Sequence, residues 1–281
     1  MKPENFNYLS ALLKNESGLV LTEEKVYLVE SRLMPVARRN GIDGLDALVE
    51  TLISSDRTVA LVTEVTDAMT TNESFFFRDS KPFEQFRELV LPQLLVNRAV
   101  TKSIRIWSAA CSSGQEAYSL TMILREESAK LAGWRIEILA TDISQEMLEK
   151  AKSGLYSQFE VQRGLPIQML VKYFTKTGEK WRIDPSLREM VTFRPFNLLD
   201  DATPLGIFDV VFCRNVLIYF DQDTKSAVLG NIARLLPHDG FLYLGGAETV
   251  LGISDSFQPI PGQRGIYNPV DESTAARQAV S

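Results

Sequence analysis

The chain has 281 residues, of which 45% are hydrophobic and 23% are charged. That length allows one large domain or two modest ones, each with its own core. The net charge of −6 and the dispersed Lys and Arg residues argue against a nucleic-acid-binding protein. No apolar run approaches the roughly 18 residues that a membrane helix needs, and no signal peptide is visible at the N-terminus. We therefore expect a cytoplasmic protein without membrane insertion.

Cysteine and histidine are scarce in this sequence. Cys111 and Cys213 are the only cysteines, and His238 is the only histidine. Two cysteines that lie far apart in the sequence give no disulfide framework and no zinc pattern. A single histidine nearly excludes His-based catalytic triads and His-rich metal sites. We predict no metal site.

Residues 1–70 predict an N-terminal all-helical domain. Apolar residues at helical spacing indicate four helices, over residues 6–13, 22–41, 45–53 and 61–69. Arg32, Arg38 and Arg39 lie in the second half of the second helix. On the residues alone we favour cations that complement a helix C-terminus over a docking surface for an acidic helix. Residues 1–80 are the acidic part of the chain, with 8 basic and 13 acidic side chains.

Residues 71–81 form a linker of unusual composition, which contains all but the first residue of the motif TTNESFFFRD. A segment that only spans two domains would not carry three consecutive phenylalanines. We interpret Phe75, Phe76 and Phe77 as a staple between the helical bundle and the following domain. Asn72, Ser74 and Arg78 are candidates for lining a ligand site, and both roles can hold at once.

Residues 82–270 predict an α/β domain with a doubly wound sheet. Strands over residues 104–109, 135–140, 208–213 and 240–244 alternate with helical patterns, and residues 257–260 and 265–267 indicate a terminal antiparallel hairpin. Residues 173–197 interrupt this alternation with three extended runs, the last of them MVTFRPFN, which favours a small antiparallel β insert. Residues 271–281 are expected to be a flexible tail.

A run of small residues, 110–114, lies between the first strand and its helix. Such a loop lets a ligand approach the backbone and the free N–H groups of the helix N-terminus. Gly114 is its only glycine, so a dinucleotide fits poorly, whereas a nucleoside without phosphates such as S-adenosylmethionine fits better. Glu116 could then meet an ammonium group. Asp142, at the end of the second strand, either accepts two ribose hydroxyls or caps the next helix.

Five motifs in register carry a family resemblance: TTNESFFFRD, WSAACSSGQEAYSL, ATDIS, FNLLDD and FCRNVLIYFD. In this order and spacing they resemble the chemotaxis receptor methyltransferase (CheR) family over nearly the whole chain. The resemblance implies a methyltransferase fold with S-adenosylmethionine as cofactor and S-adenosylhomocysteine as product. It also implies methyl transfer to glutamate side chains on the cytoplasmic helices of chemoreceptors, the methyl-accepting chemotaxis proteins, during adaptation.

The resemblance also implies roles for individual residues. Arg78 and Tyr219 would act at the acceptor carboxylate, and Arg32, Arg38 and Arg39 become a docking surface for the receptor helices. Ser74 and Gln115 depart from the frequent threonine and glutamate, and neither change removes a needed group. The cofactor contacts would come from Asn72, Ser74, Arg78, Glu116, Asp142, Asn197, Leu198, Arg214 and Asn215.

The proposed acceptor agrees with what the sequence lacks. A glutamate side chain with a pKa of about 4.3 is ionised at neutral pH and needs no general base. Two alternatives stay open: a regulatory module that binds the cofactor without transfer, and a methyltransferase for small carboxylic acids. The presence of Arg78 and Tyr219 favours an enzyme over the first, and the helical domain is unnecessary for the second.

Overall fold

The computed structural model describes residues 1–270, apart from the side chain of Glu23. The expected tail, 271–281, lies outside the described residues. Two compact units are present: residues 1–71 together with 219–224, and the remainder of the described chain. No helix in residues 1–270 is both long and apolar enough to cross a membrane.

The first unit is built from four helices. They are α1 (Pro3–Ser17), α2 (Val26–Arg39), α3 (Gly44–Ile53) and α4 (Val59–Met69). Leu9, Leu33 and Leu48 are completely buried in their common core. The second helix begins later than predicted because a 3₁₀ turn, Glu23–Lys25, precedes it. The sequence thus predicted all four helices of this unit, but several of their ends differ; α1, for example, covers Pro3–Ser17 and not only residues 6–13.

A distant piece of chain, residues 219–224, belongs to this helical unit. The Val20 amide donates to the Tyr219 carbonyl at 2.9 Å, and Lys14 pairs with Asp221 at 2.6 Å. Gly18 ends α1 with a φ of 77°, and a Cβ at this position would lie 2.9 Å from the Phe220 ring. Both the backbone conformation and the space therefore require glycine at position 18.

The second unit contains ten strands and most of the remaining helices. The helices beyond residue 80 are α5 (Lys81–Gln85), α6 (Leu91–Asn97), α7 (Gln115–Glu126), α8 (Gln145–Ser153), α9 (Gln158–Gln162), α10 (Ile167–Tyr173), α11 (Pro185–Arg188) and α12 (Gln222–Ala233). The strands are β1 (Ser103–Ala109), β2 (Arg135–Asp142), β3 (Leu155–Ser157), β4 (Phe174–Thr177), β5 (Lys180–Ile183), β6 (Val191–Pro195), β7 (Val210–Cys213), β8 (Phe241–Tyr243), β9 (Phe257–Pro259) and β10 (Ile266–Pro269). A π-helical segment, Phe86–Val90, joins α5 to α6.

The main sheet has seven strands in the order β6-β2-β1-β7-β8-β10-β9. β10 runs antiparallel to both of its neighbours, β8 and β9, and it forms the terminal hairpin with β9. Trp107, at the centre of β1, pairs with Leu139 on one side and Val211 on the other. The doubly wound sheet and the hairpin were both predicted, and both are confirmed. The strand order changes direction between β1 and β7, where sheets of this kind bind their ligands.

The small antiparallel insert exists, but its predicted composition is wrong in one strand. It has the order β3-β5-β4, whereas the MVTFRPFN run forms β6 and pairs in parallel with β2. Val191 and Phe193 pack against the main core, which draws this run to the free edge of β2. The third strand of the insert is instead β3, which was not predicted and is only three residues long. Tyr156, at its centre, is fully buried.

The aromatic linker is part of the second unit. Phe76 is fully buried, with its ring 5.0 Å from that of Tyr156 and 5.5 Å from that of Phe174. Gly164 lies against this segment so closely that a Cβ would come within 2.0 Å of the Phe76 carbonyl oxygen. The Phe75 ring lies 4.3 Å from the guanidinium of Arg163. The phenylalanines therefore anchor the linker to the sheet domain.

Candidate cofactor site and active site

The candidate site lies at one edge of the main sheet. Four neighbouring strands, β6, β2, β1 and β7, run parallel, so their carboxyl ends meet there. Each end leads directly into residues that the sequence predicted as cofactor contacts. These are Asn197 and Leu198 after β6, Asp142 at the end of β2, Glu116 beyond the loop after β1, and Arg214 and Asn215 after β7.

The loop after β1 is strained in a way that suits small residues. Ala110 and Ser112 have left-handed φ values of 54° and 49°, and Gly114 has 87°. A Cβ on Gly114 would lie 2.9 Å from the Cβ of Ala151, so this position tolerates only glycine. A left-handed conformation costs an ordinary residue roughly 1–2 kcal/mol. Strain of this kind collects at functional sites, where the surrounding structure holds it in place.

Asp142 holds this loop by hydrogen bonds. Its Oδ2 accepts from the Ser112 amide at 2.7 Å, and its Oδ1 accepts from the Ser144 amide at 2.9 Å. Burial raises the pKa of Asp142, and the backbone N–H groups offset part of that effect. The N-cap of α8 is Ser144, which accepts from Met147, and not Asp142. Each carboxylate oxygen has a second lone pair, so the carboxylate can also accept hydroxyl groups.

A buried arginine connects the linker to the helix after β1. The Nη1 of Arg214 donates to Glu116 at 2.9 Å, and its Nη2 donates to Asp79 at 2.7 Å and to the Arg78 carbonyl at 2.9 Å. The other oxygen of Glu116 accepts from Ser108 at 2.8 Å. The Arg214 side chain is 1% exposed. The predicted residues Arg78, Glu116 and Arg214 are thus brought together.

One N–H donor of Arg214 is left without an acceptor within residues 1–270. Its Nε is buried and has no hydrogen-bond partner among the residues that the structure describes. Buried donors in folded proteins are nearly always paired, so this atom indicates a missing oxygen acceptor. A carboxylate or a water would satisfy it. The amino-acid portion of S-adenosylmethionine carries both a carboxylate for such a donor and an ammonium group for Glu116, so the residues present fit this cofactor.

The linker residues lie at the same edge. The carbonyl of Asn72 accepts from the Ser112 hydroxyl at 3.0 Å, which fixes the start of the linker against the strained loop. Ser74 is half-buried. The guanidinium of Arg78 is also half-buried and donates to the Glu73 carbonyl at 2.6 Å. The side chain of Arg78 therefore contacts its own segment, while its carbonyl accepts a hydrogen bond from Arg214.

Two further predicted residues follow β6. The amide of Phe196 donates to the Asp142 carbonyl at 3.1 Å, which places the next residues beside the end of β2. The Oδ1 of Asn197 accepts from the Leu199 amide at 3.1 Å, and Leu198 is buried. Asn197 and Leu198 thus lie next to Asp142 along the sheet edge.

Sequence reasoning missed three residues of this site. Ser112 and Asp79 lie inside the motifs that were singled out, and only their contacts show that they hold the loop and the linker. Glu248 accepts hydrogen bonds from the backbone after β7, including the Asn215 amide at 2.7 Å. It stands two residues after a Gly-Gly pair, and no pattern around it indicates a site.

Tyr219 and the three candidate docking arginines belong to the helical unit. Arg32 donates to the carbonyls of Met69 and Thr70 at 2.8 and 2.9 Å, so it caps the C-terminus of α4 and not that of its own helix. Arg39 pairs with Glu64 at 2.7 Å. Arg38 is exposed, and no hydrogen bond or ion pair joins its side chain to any other described residue. The three cations therefore differ in how they are held.

Fold and site together define the class: this is an S-adenosylmethionine-dependent methyltransferase. Residues 72–266 match the family model described as "CheR methyltransferase, SAM binding domain", and residues 4–70 match "CheR methyltransferase, all-alpha domain". "Chemotaxis protein methyltransferase Cher2" of Pseudomonas putida is 41% identical over 266 residues, covering 93% of this chain and 96% of the relative. "Chemotaxis protein methyltransferase 1" of Pseudomonas aeruginosa matches equally, at 41% identity with coverage of 93% and 96%. The chain belongs to the CheR methyltransferase family.

Proposed function

We propose that this enzyme is a protein-glutamate O-methyltransferase, which methylates glutamate side chains of methyl-accepting chemoreceptors in the cytoplasm. The names of its relatives support methyl transfer in chemotaxis. The observation that carries the proposal is the buried Arg214, which joins the linker to Glu116 at the switch point of the sheet. The linker that carries Arg78 therefore contacts the proposed cofactor edge through Arg214, and a guanidinium there would suit a carboxylate acceptor.

The cofactor would lie along the four strand ends. Glu116 would bind its ammonium group, and the Nε of Arg214 would donate to its carboxylate. Asp142 would accept the two ribose hydroxyls, and the adenine would lie beside Asn197 and Leu198. When bound, S-adenosylmethionine supplies an electrophilic methyl group on a sulfonium. Further contacts are proposed from Asn72, Ser74, Arg78 and Asn215.

Methyl transfer to a glutamate requires the protein to position the acceptor carboxylate, and it requires no general base. A glutamate carboxylate is ionised at neutral pH and is already nucleophilic. Correct alignment of two reacting groups can supply roughly 7–11 kcal/mol of the barrier reduction. We propose that Arg78 and Tyr219 hold the acceptor carboxylate in that alignment. A guanidinium has five N–H groups, so Arg78 can bind a carboxylate while it keeps its bond to the Glu73 carbonyl.

Methyl transfer itself can be tested directly. Purified enzyme with tritiated S-adenosylmethionine and receptor-bearing membranes should place base-labile tritium on the receptor, and membranes that lack receptors should stay unlabelled. Tyr219→Phe should bind S-adenosylhomocysteine with unchanged affinity and turn over more slowly, because it loses one hydrogen-bond donor. Cofactor binding without any label on the receptor would favour a regulatory module and refute the proposal.

We place receptor docking on the helical unit, through Arg32, Arg38 and Arg39. Arg38 is the sharpest test, because charge reversal of Arg32 would also remove the α4 cap. Arg38→Glu should raise the KM for receptor several-fold and leave kcat at saturating receptor unchanged. Arg57→Glu is the matched control, since Arg57 is a surface cation of the same unit outside α2. Equal KM values for both variants and the wild type would exclude Arg38 from docking.

A further inference from the structure

Glu248 concentrates backbone hydrogen bonds on one carboxylate. Its Oε2 accepts from the amides of Asn215 at 2.7 Å and Gly245 at 2.6 Å. Its Oε1 accepts from the amides of Val216 at 2.9 Å and Ile218 at 3.2 Å. We infer that Glu248 is a positioning residue, which shapes the segment after β7 so that it can bind the cofactor. The inference rests on the cofactor position given under the proposed function.

The segment after β7 needs such support because of its backbone conformation. Asn215 has a left-handed φ of 60°, which is uncommon for residues other than glycine, although asparagine adopts it more readily than most, so contacts that hold it are expected. Successive amides that point at one anion form a nest, a concave site that usually holds a bound anion. Here the anion is the carboxylate of Glu248. The shape of residues 215–218 is thus set by an internal side chain.

Glu248 also joins two neighbouring strand ends. β7 and β8 are parallel and adjacent, so residues 215–218 and Gly245 follow the same edge of the sheet. A Cβ on Gly245 would lie 2.6 Å from the Nδ2 of Asn215 and 2.7 Å from the Oε2 of Glu248. The φ of Gly245 is not in the left-handed region, so space alone requires glycine there. Three residues, Asn215, Gly245 and Glu248, therefore form one close contact.

Glutamine cannot replace glutamate in this contact. Its amide keeps one oxygen, but its NH₂ group would face two backbone N–H donors. The side-chain volume stays the same while half of the acceptors are lost. Glu248→Gln should therefore shift residues 215–218 and weaken cofactor binding without opening a cavity. The neighbouring ion pairs of Arg214 with Glu116 and Asp79 do not involve Glu248.

Calorimetry with S-adenosylhomocysteine on the full chain tests this role. Glu248→Gln should raise Kd at least tenfold. Asp209→Asn is the matched control, because Asp209 accepts the Arg105 amide at 2.8 Å just before β7, at the opposite end of that strand. It should lower Tm and leave Kd unchanged. A wild-type Kd for Glu248→Gln, with or without a lower Tm, would overturn the inference.

A second pair of variants covers the case in which Glu248→Gln does not fold. Gly245→Ala puts a methyl group into the same contact and keeps the carboxylate, and it too should raise Kd at least tenfold. Gly246→Ala is its control, since a Cβ at Gly246 meets nothing within 4 Å. Equal Kd values for these two variants would overturn the inference. Both readouts use cofactor binding alone, so a failure of receptor methylation would refute the proposed function separately.

Discussion

Replacing Asp142 by alanine is the most direct test of the cofactor position. The proposed site has its carboxylate accept two ribose hydroxyls, in addition to the Ser112 and Ser144 amides. A hydrogen bond to a charged group contributes about 1.5–3 kcal/mol, so the two hydroxyls together contribute about 3–6 kcal/mol. Each 1.4 kcal/mol is about a tenfold change in affinity. Asp142→Ala should therefore weaken binding of S-adenosylhomocysteine by about two to four powers of ten.

Isothermal calorimetry with S-adenosylhomocysteine measures this loss without any receptor. Asp184→Ala is the matched control, because Asp184 also holds a backbone amide, that of Ser186 at 2.8 Å, but caps a helix in the insert. It should bind the ligand with wild-type affinity. If Asp142→Ala binds within about threefold of wild type, the two hydroxyl contacts do not exist and the ligand does not lie along these strand ends.

Three further predictions concern pH and packing. Burial raises the pKa of Asp142, whereas hydroxyl donors favour its ionised form. The affinity for S-adenosylhomocysteine should therefore fall on acidification at a pH above the ordinary aspartate range. Calorimetry should show this fall in the wild type and a pH-independent affinity in Asp142→Asn. Arg98 lowers the pKa of Asp239, so that pair stabilises the fold above the unfolded aspartate pKa and the benefit is lost as pH falls through the lower folded value. Asp239→Asn should thus lower the free energy of unfolding by about 1–3 kcal/mol at neutral pH. In acid, the Tm of this variant should approach that of the wild type, and a Tm difference that does not change with pH would contradict the ion pair. Phe76→Ala should lower the free energy of unfolding by about 3–5 kcal/mol in denaturant titrations, and a loss below about 1 kcal/mol would show that Phe76 is not a core residue.

The main sheet could be predicted because its strands carry strong local signals. The predicted strand over residues 104–109 is observed as Ser103–Ala109, since apolar and β-favouring residues such as Ile104, Ile106 and Trp107 are typical of a buried strand. The insert shows the limit of such patterns. Alternation in Val191–Pro195 indicates a strand but not its partner, and the partner is chosen by packing on the main core. Leu155–Ser157 is too short to give any periodic signal.

The candidate site, too, could be predicted from the sequence only in part. Asp142 and Glu116 follow a strand and a small-residue loop, so their chemistry could be inferred from position along the chain. The contacts that hold the site could not, because they join residues far apart in sequence: Arg214 lies 135 positions from Asp79, and Asn215 lies 33 from Glu248. A carboxylate that binds backbone amides leaves no pattern in its own neighbourhood, since its partners can be of any residue type.

The discontinuous helical unit has a consequence for exchanging parts between relatives. Residues 219–224 belong to that unit through the Val20 amide and the Lys14 ion pair, and the linker from Asn72 onward belongs to the other. A chimaera that replaces only residues 1–70 would keep the old Asp221 beside a new α1. A clean exchange of receptor preference would need two crossovers, one before Asn72 and a second around residues 219–224. Recombination at the first junction alone should yield mismatched, less stable proteins.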